Sequence, residues 1–230
     1  SKQFDLIVVG GGHAGIEAAV IAANKQKRVG LVSLDLGAIG RMSCNPAIGG
    51  LAKGQIVREI DVLGGLMGKI TDQSGIQFKI LNKSKGKSVW SPRAQVDKRR
   101  YEKIVSSLVL NHSHITIVEG EAIDVLITNY RATGVVLRGG QKILSLAVLL
   151  TCGTFLNGLI HIGQKKIRAG RMGESGAEGI TEALSLRGFL AGRLKTGTPP
   201  RLDKSSIDWS KTSLALGDKT PTPFSYQTTS

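Results

Sequence analysis

The sequence predicts an α/β fold, in which a Rossmann-like parallel sheet carries a small inserted β-meander. The first observation is a short apolar, β-branched run, 4–9, of the kind that is buried in parallel sheets. It enters a glycine-rich turn, 10–15, and an Ala-rich stretch with high helix propensity, 16–25, follows. A second apolar run, 29–34, completes a βαβ unit, whose connection we expect to be right-handed.

Two further observations lie later in the chain. The apolar runs 122–127 and 132–137 flank the turn signal Thr128-Asn129-Tyr130, which predicts an antiparallel meander rather than another βα unit. A buried run, 144–151, then predicts a strand that returns to the parallel sheet and ends in a turn at Gly153. A nicotinamide-binding domain would continue as βαβαβ. The order of elements therefore predicts an FAD-binding domain of the glutathione-reductase type.

The segment between these parts predicts two more helices and a strand. A Gly-rich loop, 37–54, opens a helix near 51–63. Another helix is predicted to begin at Pro92, whose fixed φ suits a first helical turn. Its apolar stripe consists of Tyr101, Ile104, Val105 and Leu108. The run 115–118 predicts a strand, and the chain becomes irregular beyond residue 188.

Composition excludes some classes of protein and favours one kind of partner. The 230 residues include 31 Lys and Arg against 17 Asp and Glu, a net charge of +14 that attracts polyanions such as nucleic acid. Aromatic residues make up only 4%, which argues against base stacking as the main contact. No apolar run is long enough to span a membrane, and the start lacks a signal-peptide pattern. Two distant cysteines give no disulfide framework, so we expect a cytoplasmic protein.

The glycine turn is the clearest candidate binding site. It consists of Gly10, Gly11, Gly12, His13, Ala14 and Gly15, with glycines at the three positions of the dinucleotide-binding GxGxxG pattern. Gly10 permits the bend after the strand, Gly12 lets the backbone approach a pyrophosphate, and Gly15 lets the helix pack closely. His13 and Ala14 contribute backbone N–H groups at a helix N-terminus, which favours phosphate.

The acidic residue that usually accompanies this pattern is missing. It stands at the end of the second strand and binds the ribose hydroxyls, and this chain has Ser33 there, with Asp35 two residues on. A serine hydroxyl bonds a ribose less strongly than a carboxylate does. The change disfavours NAD more than FAD, because FAD makes many other contacts. Thr151 and Gly153, in the turn after the return strand, complete the predicted FAD site.

Cys44 is the candidate catalytic residue. The position five residues later is Gly49, so the CxxxxC pair of two-domain disulfide reductases is absent. A single thiol near a flavin and a helix start could be an activated nucleophile. It could equally be a small residue that packs a tight loop, and the sequence leaves both interpretations open.

Two basic clusters are candidates for anion binding. The first includes Lys85 and Arg93, and the second includes Arg193, Lys195 and Arg201 around a rigid Pro-Pro turn. Contact with a nucleic-acid backbone or another anion is one interpretation. A solvated surface, for the first cluster, and a structural turn, for the second, are the alternatives. The histidines have no metal-ligand spacing, so we expect no metal.

Six sequence strings resemble the MnmG/GidA family. They occur in the family's order, and the match extends over nearly the whole chain. They are GGGHAG (10–15), SCNPAIGG (43–50), DVLGGLM (61–67), DQSGIQF (72–78), GTFLNGLIHIG (153–163) and GRLKTGTPPR (192–201). SCNPAIGG and GRLKTGTPP are specific strings rather than general features of flavoproteins.

The resemblance implies an FAD-dependent enzyme that adds a carboxymethylaminomethyl or aminomethyl group to carbon 5 of the tRNA wobble uridine. It implies NADH and methylenetetrahydrofolate as co-substrates. It also implies a homodimer that forms a heterotetramer with the GTPase MnmE and does not associate with a membrane. It places FAD against the glycine turn, with the backbone near Ala122 bordering the adenine and the segment near Ala177 approaching the cofactor. Cys44 matches one of two family cysteines implicated in the chemistry.

Chains of this family are longer, so the resemblance also implies an N-terminal portion, truncated before the closing strand of the FAD domain. We expect residues 1–190 to belong to the FAD-binding domain and residues 191–230 to begin an inserted substrate or NADH domain. Two alternatives stay open. One is the related folate- and FAD-dependent tRNA uridine methyltransferase, against which SCNPAIGG argues, and the other is a flavoprotein subunit without turnover of its own.

Overall fold

A computed structural model describes residues 3–42, 45–170, 175–195, 197 and 202–229. In this part of the chain the α-helices are α1 (His13–Asn24), α2 (Lys53–Val62), α3 (Met67–Ser74), α4 (Lys98–Leu110) and α5 (Ile180–Leu186). The strands are β1 (Leu6–Val9), β2 (Val29–Ser33), β3 (Ala47–Gly49), β4 (Gly75–Leu81), β5 (Ser91–Val96), β6 (Ile115–Glu119), β7 (Ala122–Thr128), β8 (Arg131–Leu137), β9 (Lys142–Leu144), β10 (Val148–Leu150), β11 (Leu159–Ile162) and β12 (Lys165–Arg168). None of the described helices is both long and apolar enough to cross a membrane.

The chain divides into two compact units. The first combines residues 1–41 with 102–191, and the second combines residues 42–101 with 192–230, so that the division passes through α4. Residues 42–101 therefore group with the C-terminal segment rather than with the remainder of 1–190. The role of 191–230 as the start of an inserted substrate or NADH domain stays a prediction.

The first unit is built on a parallel sheet with the strand order β10-β1-β2-β6. β1 pairs in parallel with β2, and α1 connects them, which confirms the predicted βαβ unit. The buried residues of α1 are small or branched, namely Gly15, Ile16, Ala19, Val20 and Ala23. Residues of this size let the helix axis lie close to the sheet.

The main core of the first unit lies between the parallel sheet and the antiparallel meander β7-β8-β9. Ile7, Val9 and Val32 enter it from the sheet, Val135 from the meander, and Ile180 from the start of α5. Because successive residues of a strand point to opposite faces, the fully buried Val8 and Leu31 lie on the other face of the sheet. The predicted α/β architecture with an inserted meander is confirmed.

The sequence predicted a single strand over 144–151, and this prediction is wrong. Leu144 ends the meander strand β9, and the return strand β10 begins at Val148 and pairs with β1. Between them the hydroxyl of Ser145, which is 1% exposed, donates to the Ala147 carbonyl at 2.8 Å. This bond satisfies a buried polar group where the chain passes from one sheet to the other, and an apolar run gives no sign of such a break.

The second unit contains an antiparallel sheet, β3-β5-β4, which the sequence analysis missed. Pro92 lies inside β5, so the prediction that it starts a helix is wrong, and α4 begins at Lys98. The Pro92 carbonyl accepts from Gly50 N at 2.9 Å, just beyond the end of β3. The Gly50 carbonyl, which would face the missing N–H of Pro92, accepts from Gly54 N instead. The proline therefore costs this sheet no hydrogen bond.

Asp72 of α3 binds the C-terminal segment of the second unit through hydrogen bonds. Its carboxylate accepts from Phe224 N at 2.6 Å, from Ser225 N at 2.9 Å and from the Thr228 hydroxyl at 2.6 Å. The Phe224 side chain is 1% exposed. One carboxylate thus orders a chain turn that lies 152 residues away in sequence.

Two α2 side chains hold the same turn. Asp61 accepts from Tyr226 N at 2.9 Å. The Arg58 guanidinium donates to the Pro223 carbonyl at 2.9 Å and lies 4.8 Å from the centre of the Tyr226 ring. A stacked and hydrogen-bonded guanidinium of this kind contributes through both the ring and the carbonyl.

Candidate dinucleotide-binding site

The carboxyl ends of the parallel strands β1, β2 and β10 meet at the glycine turn. Gly10 N donates to the Val32 carbonyl at 2.8 Å, and Thr151 N donates to the Val9 carbonyl at 2.9 Å. The Thr151 hydroxyl donates to the same Val9 carbonyl at 2.8 Å and lies 3.3 Å from the Gly10 carbonyl. Open α/β sheets bind ligands beyond this edge, so the turn lies where a dinucleotide is expected.

Two glycines of the turn are required by the protein itself. Gly10 has φ +112°, which residues with a side chain rarely adopt, and a Cβ there would collide with the Thr151 carbonyl. A Cβ on Gly15 would collide with the Gly10 carbonyl and lie 2.7 Å from Thr151 Oγ1. The two glycines therefore let α1 begin directly against the ends of β1 and β10.

Gly12 has different surroundings. Its φ of −79° and ψ of −176° are open to any residue, and apart from its chain neighbours no atom of the described residues lies within 4 Å of its Cβ position. Neither backbone strain nor packing accounts for a glycine here. Gly12 is also the N-cap of α1 and, having no side chain, makes no capping hydrogen bond to this helix. The helix N-terminus and the absence of a side chain suit a pyrophosphate that approaches the backbone.

Ser33 ends β2 beside the turn. Its side chain is nearly buried and donates to the Asp35 carbonyl at 2.9 Å, and a Cβ on Gly11 would lie 3.1 Å from Ser33 Oγ. The Asp35 carboxylate accepts from Gly37 N at 2.8 Å and lies 3.3 Å from the Arg41 guanidinium. Asp35 therefore stabilises a local turn, whereas Ser33 keeps acceptor capacity next to the glycine loop.

Gly40 contributes to the site without having been singled out in the sequence. Its N–H donates to the Gly11 carbonyl at 3.0 Å and so fixes the outer side of the glycine turn. A Cβ on Gly40 would collide with Val105 of α4. The only available signal was its position in the Gly-rich loop 37–54.

Gly153 follows Thr151 at the same sheet edge with φ +68°. Cys152, between them, packs against the core and places its thiol 4.0 Å from the Val9 carbonyl. Burial raises the pKa of the Cys152 thiol above its ordinary value of 9.0. A thiol in that environment stays protonated near neutral pH, so Cys152 acts as a packing residue.

Ala122 lies at the start of β7 and belongs to the same core cluster as Val9 and Val32. The residue before it, Glu121, forms an ion pair with Arg138 of the loop after β8, and this guanidinium lowers the pKa of Glu121. Glu121 also accepts from Glu178 N at 2.8 Å.

Ala177, the neighbour of Glu178, is held by the chain that follows Gly153. Its N–H donates to the Phe155 carbonyl at 3.3 Å, and its carbonyl accepts from Asn157 N at 2.8 Å. The ion pair beside Ala122 and these bonds therefore fix both segments that the resemblance places near the cofactor.

The first basic cluster lies in the second unit. Lys85 is exposed in a short 3₁₀ turn, and Arg93 of β5 pairs directly with Lys79 of β4. Lys83 forms a 2.9 Å ion pair with Asp218 and lowers the pKa of that carboxyl. No acidic residue in the described part of the chain pairs with Arg93. Two cations directly opposite each other in a sheet repel, and a bound anion would relieve that repulsion.

The remaining predicted residues belong to the second basic cluster and the cysteine loop. Arg193 and Lys195 are exposed in an irregular segment. Cys44 and Arg201 lie outside the described residues. Within the described ranges, no group of three or more His, Cys, Asp and Glu side chains could hold a metal ion.

Comparisons with known proteins found a matching family model and similar chains. The sequence model of the family described as glucose inhibited division protein A matches residues 5–230. The protein named tRNA uridine 5-carboxymethylaminomethyl modification enzyme MnmG is 51% identical over 225 residues in Karelsulcia muelleri and 50% identical over 226 residues in Aquifex aeolicus. Each alignment covers 98% of this chain and 37% of the relative, so the chain spans little more than a third of the relatives' length.

Solved structures show the same relationship. The form II crystal structure of Aquifex aeolicus GidA has a TM-score of 0.93 and 50% identity, covering 98% of this chain and 38% of that one. The GidA-related protein from Thermus thermophilus, at a TM-score of 0.60 and 22% identity, covers 82% of this chain and 70% of that one, and shares the fold. With a family match from residue 5 to residue 230, the chain belongs to the glucose inhibited division protein A (GidA) family.

Proposed function

We propose that this chain is the flavin-binding part of an enzyme that modifies carbon 5 of the wobble uridine in tRNA. The observation that carries the proposal is the half-identical match, over 98% of the chain, to proteins named tRNA uridine 5-carboxymethylaminomethyl modification enzyme. Because the chain spans 37% of those relatives, the reaction is assigned to the complete protein rather than to these residues alone.

FAD is the cofactor proposed for the glycine turn. Gly10–Gly15 would hold its pyrophosphate, with His13 and Ala14 contributing backbone N–H groups, and Ser33 would accept from a ribose hydroxyl. Thr151 and Gly153 would border the cofactor at the end of β10, and the backbone at Ala122 and Ala177 would complete the pocket. The open space at the Gly12 Cβ position and the place of Gly12 at the N-terminus of α1 support this assignment. When bound, FAD supplies hydride and electron transfer.

Cys44 is proposed as the catalytic thiol of this part of the enzyme. Its support is its place in the family-like string SCNPAIGG and its lack of a CxxxxC partner. The environment of Cys152, the other cysteine, suits packing and not nucleophilic attack.

The remaining substrates and partners are proposed for the complete enzyme. NADH would reduce the flavin, methylenetetrahydrofolate would donate the carbon, and the GTPase MnmE would act with a homodimer in the cytoplasm. The net charge of +14 favours tRNA as the macromolecular substrate. Candidate phosphate contacts are Lys85, Arg93, Arg193, Lys195 and Arg201.

The test uses the complete protein loaded with FAD. NADH is added anaerobically and the loss of the flavin absorbance is followed; MnmE, GTP, the folate donor and an unmodified tRNA are then supplied. Mass spectrometry of the tRNA nucleosides should detect a carboxymethylaminomethyl or aminomethyl group on the wobble uridine. A 5-methyluridine product would assign the folate-dependent methyltransferase reaction instead. Absence of both flavin reduction and product would indicate a subunit without turnover.

A further inference from the structure

The strands β11 and β12 of the first unit form an antiparallel two-stranded ribbon, residues 159–168, which we call the basic ribbon. Its register pairs Leu159 with Arg168, Ile160 with Ile167, His161 with Lys166 and Ile162 with Lys165. A two-residue connection, Gly163-Gln164, closes it, and Gly163 has the positive φ of +57° that such tight turns require. The string GTFLNGLIHIG includes its first strand, but no role proposed above uses these residues.

The two faces of the basic ribbon differ in chemistry. Residues that pair directly in an antiparallel ladder point to the same face, and neighbours along a strand point to opposite faces. One face therefore carries the basic side chains of Lys166 and Arg168 together with His161 and Leu159. The other face carries Ile160, Ile162, Ile167 and Lys165. Lys166 and Arg168 lie about 6.6–6.8 Å apart along the strand.

The cations of the ribbon are exposed and have few acidic neighbours in the described part of the chain. All residues from 161 to 168 are exposed. Among the described residues Lys166 has no acidic partner, and the Arg168 guanidinium lies 3.7 Å from the carboxylate of Glu178, with 86% and 50% of the side chains exposed. An exposed pair of this kind is worth little. The sequence itself contains no acidic residue between Asp124 and Glu174.

The base of the ribbon is fixed to the first unit. Ala169 N donates to the Gly158 carbonyl at 3.1 Å, and a Cβ on Gly158 would collide with the Ala169 carbonyl. Next to this neck, the Asn157 side chain donates to Glu182 of α5 at 2.7 Å. An isolated two-stranded ribbon is only marginally stable in water, so these contacts are what present the exposed strands in a defined direction.

We propose that the basic face of this ribbon, formed by Lys166 and Arg168, binds the phosphate backbone of tRNA. The proposal rests on the proposed function and adds a contact outside the basic clusters recognised in the sequence. Charge complementarity selects the partner, since Lys166 has no acidic partner among the described residues and the Arg168–Glu178 pair is exposed and worth little, so that both cations can contact adjacent phosphates. The ribbon has no Phe, Tyr or Trp, so it contributes backbone contacts and no base stacking on such a ring. Its contribution is therefore independent of base sequence.

The test measures the affinity of the complete, FAD-loaded protein for an unmodified tRNA transcript over a range of salt concentrations. K166Q and K165Q form a matched pair, because they remove the same charge from adjacent residues on opposite faces. K166Q/R168Q removes both proposed cations. The slope of log K against log salt should fall in magnitude by roughly 0.7–0.9 for each phosphate that is no longer neutralised, about 1.4–1.8 for the double variant. K165Q should leave the slope near that of the wild type.

The possible outcomes distinguish failure of the ribbon proposal from failure of the proposed function. Equal slope changes for K165Q and K166Q would indicate diffuse electrostatic attraction rather than a contact made by one face, and would overturn the proposal. An unchanged slope in K166Q/R168Q would overturn it too. Wild-type protein that fails to bind tRNA would instead overturn the proposed function. Flavin content and thermal unfolding should match the wild type in all variants, because the changed side chains are exposed and outside the glycine turn.

Discussion

Gly12 and Gly15 lie three residues apart in one turn, yet only Gly15 is required by the atoms of the protein. A Cβ on Gly15 would collide with the Gly10 carbonyl, whereas a Cβ on Gly12 would, apart from its chain neighbours, meet no atom of the described residues within 4 Å. Gly15 therefore serves the packing of α1, and Gly12 serves something that approaches the turn from outside. This difference makes the two positions a matched pair for testing the dinucleotide site.

Replacement of Gly12 by valine should remove FAD while the protein stays folded. The branched side chain would occupy the space through which a pyrophosphate reaches the start of α1, and its Cβ would meet no described protein atom beyond its chain neighbours. Flavin content after gel filtration of the complete protein and its thermal unfolding should be measured together. A variant that retains the wild-type amount of FAD would contradict the phosphate-loop assignment.

Gly15→Ala supplies the control. Its methyl group collides with backbone rather than with a flexible side chain, so the free energy of unfolding should fall by about 1–3 kcal/mol or more. Flavin loss in this variant should accompany loss of stability. If Gly12→Val destabilised the fold as much as Gly15→Ala does, the proposed division of roles would be wrong.

The sequence predicted best those elements whose signals are local. The βαβ unit follows from one apolar run, one glycine turn and one Ala-rich helix, and all of it lies within residues 4–34. The antiparallel sheet of the second unit was missed, because Pro92 resembles a helix start and because β4 alternates imperfectly. The cost of this proline to the sheet depends on where Gly50 and Gly54 lie, which is a tertiary relationship. The hydrogen bond from Phe224 N to the Asp72 carboxylate likewise joins residues that are far apart in the sequence.

The candidate site was predictable in its glycines and not in its supporting contacts. GxGxxG specifies Gly10, Gly12 and Gly15 through turn geometry, but nothing in the sequence distinguishes packing at Gly15 from open space at Gly12. The contacts of Asp35 with Gly37 and Arg41 are likewise not specified by any sequence pattern. Those contacts explain physically why Asp35 is a poor substitute for the missing acid at position 33.

Asp72→Asn should loosen the C-terminal turn of the second unit. The carboxylate accepts from two backbone N–H groups and one hydroxyl, and an amide replaces one acceptor oxygen with a donor that faces these donors. The loss should be about 1.5–3 kcal/mol in the free energy of unfolding. Amide hydrogen exchange at Phe224 and Ser225 should accelerate. Asp203→Asn is the control, since the Asp203 carboxylate accepts from the backbone N–H and hydroxyl of its near neighbour Ser205. Equal exchange at Phe224 in both variants would contradict the role of Asp72.

The Asp5–Arg28 pair predicts a defined acid dependence. Arg28 donates to both carboxylate oxygens from its side chain and backbone, which lowers the pKa of Asp5 from 3.8 to about 2. A carboxyl whose pKa is lower in the folded state stabilises the fold above about pH 4, and this contribution is lost as the pH falls toward 2. The difference in melting temperature between wild type and Asp5→Asn should therefore be constant from about pH 7 to 5 and shrink below about pH 4. A difference that grew on acidification would contradict the assignment.

Cys44→Ser should leave FAD bound and strongly reduce tRNA modification. Serine preserves size but its hydroxyl is hardly ionised near neutral pH, so a nucleophilic step that uses the thiolate would fail. Cys152→Ser is the matched control, because the same atom is exchanged in a partly buried thiol whose pKa is raised by burial. It should cost some stability through the polar hydroxyl at a packed position and retain the reaction. Modified wobble uridine is to be measured at equal flavin occupancy for both variants. Near-normal product from Cys44→Ser would make Cys44 a packing residue and place the reactive thiol elsewhere in the complete enzyme.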